Sequence, residues 1–85
     1  MLLVELKALW NQVLDELETE DRIAWISYFD GRLVSLESNH LHLDFSDAEK
    51  FADGHDYRDV RIRKRTAIEK AIFKVTGEQI TVLPA

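Results

Sequence analysis

The 85-residue chain has no cysteine, one proline and three glycines. The missing cysteine excludes disulfides, thiol nucleophiles and thiolate metal sites, and leaves the redox compartment unmarked. With so little glycine there is no phosphate-cradling loop, and no paired-glycine loop of the kind that grips the RNA backbone in KH domains. No apolar run is long enough to span a bilayer. The Met1-Leu-Leu-Val start lacks the basic and apolar regions of a secretory signal, so a cytoplasmic location is the expectation. There are no repeats and no linkers.

What is present reads as one globular domain over residues 1–85. Nearly half of the side chains are apolar and about a third are charged. The net charge of -5 is unevenly spread. Residues 1–56 carry 13 acidic and 4 basic side chains, whereas residues 57–85 carry 3 acidic and 7 basic ones. Long-range repulsion keeps nucleic acid from most of such a chain, but the basic segment "RDVRIRKR" (58–65) can act locally.

Apolar residues set the elements. Leu2, Leu3, Leu6, Leu9, Trp10, Val13, Leu14 and Leu17 recur at helical spacing and predict a helix over about 2–18. Thr19 is placed to cap a second helix whose apolar side is Ile23, Ala24, Ile26 and Phe29, ending at Asp30-Gly31. The period then falls to two. Val34 and Leu36 alternate with Ser35 and Glu37, Ser38-Asn39 turns the chain, and Leu41, Leu43 and Phe45 alternate with His40, His42 and Asp44. Ser46 and Glu49 form a capping box for a short helical turn through Phe51. Asp56 can cap a long helix to about Thr76, which Gly77 stops, and residues 79–83 form a last strand before Pro84. The predicted fold is α+β, in the order α-α-β-β-α-β, with a three-stranded sheet and helices on one face.

On the last helix, Ala67, Ile68, Ala71, Ile72 and Val75 make the buried stripe, with Arg63, Lys70 and Lys74 on a flank. Arg61 and Lys64 fall in line with that stripe. Either the first turns overhang the core, or the stems are buried and the charges reach outward. Arg58 and Arg65 occupy a third side, with Arg65 placed to pair with Glu69.

Little here suggests chemistry. His40, His42 and Asp44 share a strand face but are spread too far for one ion, and solvent-facing alternation accounts for them. His55 sits between two aspartates with no nucleophile assigned to it. The expectation is no enzyme, no cofactor and no metal. Trp10 and Trp25 read as core residues. Leu2, Leu3 and Leu9 give the first helix more apolar surface than one packing face needs, which points to a partner protein or a second copy.

"LWNQVLDEL" (9–17), the helix at 22–29, "LVSLESNHLHLDFS" (33–46) and "AIEKAIFKVTGEQITV" (67–82) together resemble the small KH-like domain of the bacterial DNA polymerase III gamma/tau subunit. The same element order is similar to the amino-terminal domain of the replication initiator DnaA. Trp10, Leu14, Leu43, Phe45, Ile68, Ile72, Gly77 and Ile80 match the structural framework. The resemblance implies a protein–protein adaptor linked to DNA replication, with no catalytic residues to carry over. The expected interaction surface is Arg58, Arg61, Arg63, Lys64 and Arg65 with Leu2, Leu3 and Leu9. The alternative is a nucleic-acid-binding module using the five cations of residues 58–65.

Overall fold

A computed structural model describes residues 1–46 and 57–83. Along them run α1 (Leu3–Glu20), α2 (Arg22–Tyr28), β1 (Arg32–Glu37), β2 (His40–Asp44), α3 (Arg58–Arg63), α4 (Arg65–Thr76) and β3 (Thr81–Leu83). The expected helical turn after Ser46, the Asp56 cap and His55 lie outside the described residues.

The strands form one mixed sheet in the order β1-β2-β3, β1 antiparallel and β3 parallel to β2. Helices cover one face, so this is the expected α+β domain. Leu41 and Leu43 point into the core with Leu6, Val13, Leu17, Ile68, Ile72 and Val82, while His40 and His42 face outward.

The hairpin turn is made by Ser38 and Asn39, both at positive φ (50° and 61°), as a two-residue loop matched to strand twist requires. Alternation in β1 is not the simple one expected. The register slips between Leu33 and Ser35, so Val34 is an extra residue. Leu33 and Leu36 therefore both pack on the core, and Val34 stands outside at 49% exposure. A bulge of this kind is invisible to a strict period of two.

Three helix boundaries differ from expectation. Thr19 is still inside α1, its hydroxyl donating to the Asp15 carbonyl at 3.0 Å. Asp21 is the cap of α2, its Oδ1 accepting from the Ala24 N–H at 3.1 Å. The long basic helix is two helices, broken at Lys64, whose φ of -101° and ψ of 10° leave the helical region. Gly77 stops α4 as expected, at φ 75°, donating its N–H to the Phe73 carbonyl at 2.8 Å.

Candidate functional site

The break at Lys64 decides what the basic segment is. An unbroken helix would send both Arg61 and Lys64 toward the core. Arg61 goes there: it is 4% exposed, with its guanidinium carbon 3.8 Å from the centre of the Phe45 ring. Its Nη1 lies 3.5 Å from the Ser27 carbonyl of α2. Beyond the break, Lys64 turns out to the surface and its Nζ pairs with Asp21 Oδ2 at 2.9 Å. So neither expected alternative, an overhang or an outward-reaching charge, holds for Arg61, which buries its charged head as well as its stem.

Phe45 is held on several sides. The Tyr28 ring meets it edge-on at 6.0 Å between centroids. A Cβ placed on Gly31 would come within 2.6 Å of its Cε1. Tyr28 then reaches α3, donating its hydroxyl to the Arg61 carbonyl at 2.6 Å. Burial pushes the Tyr28 phenol up to about 12, so it stays a donor at neutral pH. These contacts lay α3 along α2. Asp21 is tied at one end and Tyr28 near the other.

Asp21 therefore serves twice, as cap and as ion-pair partner. Its carboxyl is held below the usual value by the Lys64 hydrogen bond first and by the Ala24 N–H second. A similar clasp joins α1 to α4. Lys74 Nζ lies 2.8 Å from both Glu16 and Glu20, which raises the lysine and lowers Glu20. A groove of about 540 Å³ runs between these clasps, with Arg63, Lys64, Lys70 and Lys74 among its cations and Ala67, Ala71 and Phe73 among its apolar residues.

The five cations thus do not form one free basic surface. Arg61 is inside, Lys64 is paired with Asp21, and Arg65 lies 3.9 Å from Glu69. Arg63 stays exposed, its Nε 3.4 Å from the Asp59 carbonyl, and Arg58 is exposed with a partner of its own. Glu69 has a second role that the sequence does not signal: its Oε2 accepts the Val82 N–H of β3 at 2.8 Å.

The apolar side of α2 matches expectation only at Ala24. Ala24, Ser27 and Tyr28 face the core, because Tyr28 must reach α3. Ile23 (61% exposed), Ile26 and Phe29 (45%) face solvent, with Trp25 half-buried and stacked on Phe29 at 4.9 Å. Ile62 of α3 is 59% exposed. The surface residues expected on α1 lie elsewhere. Leu2 is exposed at the start of α1, and Leu3 and Leu9 are half-buried. The terminal amine of Met1 is 3.5 Å from Glu78, whereas Asp21, beside Lys64, lies past the other end of α1. About 27 Å of helix separates the two ends, so Leu2 and the basic segment are not one surface.

Among the described residues no three His, Cys, Asp or Glu side chains gather to hold a metal, and no helix is long and apolar enough to cross a membrane. Comparison with protein-family models, curated proteins and solved structures finds no match.

Proposed function

We propose that this chain is a protein-binding adaptor whose docking surface is the outer side of α2 with α3. One observation carries the reading: the seven-residue α2 and the Phe29 that caps its C-terminus turn Ile23, Ile26 and Phe29 to solvent. A domain this small has few large apolar side chains to spare, and clustered exposed ones mark interaction sites. Arg63 and Lys70, on the groove beside α3, add positive charge suited to acidic residues at the rim of a partner's interface. The link to replication rests on the resemblance alone.

The internal commitments of Arg61, Lys64 and Arg65 favour this reading over nucleic-acid binding, which draws its affinity from cations free to meet phosphates. The two are separated by an NMR titration of labelled protein with short single- and double-stranded oligonucleotides, at low and moderate salt. The adaptor reading expects no focused shifts at residues 58–65. Shifts centred there and collapsing as salt rises would replace it.

A further inference from the structure

The two edges of the sheet are treated differently. On β3, the outward Val82 N–H is taken by the Glu69 carboxylate at 2.8 Å. On β1, no strand among the described elements pairs with the outer edge. The bulge gives that edge an unusual pattern of hydrogen-bonding groups.

The pattern follows from the ladder. The two-residue loop makes Glu37 and His40 a hydrogen-bonded pair. Bonded and unbonded pairs then alternate along the regular strand β2, so Leu41 and Leu43 turn their backbone groups away from β1 and toward β3. The Thr81 N–H, bonded to the Asn39 carbonyl at 2.8 Å, places β3 on that side. Opposite Leu41 and Leu43 stand Leu36 and Leu33. These two therefore turn their N–H and C=O groups to the outer edge. Because Val34 is extra, they are three residues apart instead of two.

A regular strand can match one of these residues and must miss the next. A second copy of β1, laid antiparallel, has the same three-residue spacing and matches both, Leu33 opposite Leu36 and Leu36 opposite Leu33. The side chains agree. Arg32 is exposed, Leu33 packs inward, Val34 and Ser35 lie on the outer side, Leu36 packs inward, and Glu37 is exposed. That order reads the same in both directions, and it sets the positive end of one strand against the negative end of the other. A bulge ordinarily protects an edge from indiscriminate pairing. Here it protects the edge against regular strands and leaves one matching register.

We infer that the outer edge of β1 pairs with β1 of a second copy of this chain, Arg32 facing Glu37 of the partner subunit and Val34 facing Ser35 of the partner subunit. The product is a continuous six-stranded sheet. One strand pair is a small interface, so the dimer exchanges with monomer and is populated at high protein concentration. This surface is separate from α2 and α3, so it stands or falls independently of the adaptor reading.

The test is sedimentation velocity over a concentration series, with two charge variants. Arg32→Glu and Glu37→Arg each set like charges together at both ends of the strand pair, and each is expected to weaken self-association several-fold. Mixing the two restores opposite charges and is expected to give a heterodimer. Because the chain has no cysteine, trapping is clean. Val34→Cys mixed with Ser35→Cys is expected to cross-link under mild oxidation, and Val34→Cys mixed with Thr81→Cys is not. Sedimentation as a monomer throughout with no cross-link overturns the inference. So does a dimer that ignores both charge changes.

Discussion

Tyr28→Phe isolates the joint between α2 and α3. Phenylalanine keeps the ring and its edge contact with Phe45 but deletes the hydroxyl that donates to the Arg61 carbonyl at 2.6 Å. The tyrosine is 2% exposed, so water does not readily replace the lost donor. A net hydrogen bond is worth about 0.5–1.5 kcal/mol, and a carbonyl left buried and unsatisfied costs about 1–3 kcal/mol. The carbonyl belongs to the last turn of α3, just before the break at Lys64, where helical partners run out. The expected loss is therefore about 2 kcal/mol, or roughly 8–16 °C in Tm for a domain of this size. Urea unfolding followed by tryptophan fluorescence, with thermal melts by circular dichroism, measures it. A loss below about 0.5 kcal/mol at unchanged m-value would refute the reasoning, because the bond would then not be holding the two helices together.

Other perturbations test neighbouring parts of the account. Gly31→Ala drives a methyl into the Phe45 ring, which Arg61 and Tyr28 keep from retreating, and should cost about 1–3 kcal/mol in the same urea assay. Ser38→Asn with Asn39→Gly gives the hairpin the residues that its positive φ values favour, and a gain of roughly 0.5–1 kcal/mol is expected on thermal melting. The Asp21 carboxyl is depressed in the folded state, so its stabilisation is present above its unfolded value of about 4 and is lost as pH falls through the lower folded value. Acid titration of stability should be shallower in Asp21→Asn than in the parent, and equal slopes would contradict the pairing with Lys64.

Much of the fold is legible in the sequence because it rests on strong periodicity. The buried faces of α1 and α4, the hairpin turn and the Gly77 stop are read from spacing and turn chemistry alone. Three things are not. The bulge at Val34 adds one residue to an alternating pattern, and periodicity then assigns Val34 to the wrong face. The break at Lys64 carries neither proline nor glycine; it follows from Arg61 and Lys64 sharing one stripe that only one of them can enter. The outward turn of Ile23, Ile26 and Phe29 is decided by Tyr28, whose partner lies 33 residues away. The basic segment looks like a binding surface because its partners Asp21 and the Phe45 ring are distant in sequence. Two of its five cations, Arg61 and Lys64, make those contacts and help hold α3 in place.

The most direct test of the docking surface is site-specific photo-crosslinking in cells that produce the protein. A photoreactive residue is placed at Phe29, at Ile62 or, as a control, at Glu18 on the exposed side of α1. The account predicts discrete protein adducts from Phe29 and Ile62 that vanish when Ile23→Asp is added, and none from Glu18. Adducts of equal yield from all three positions, adducts indifferent to Ile23→Asp, or adducts only to nucleic acid would contradict it.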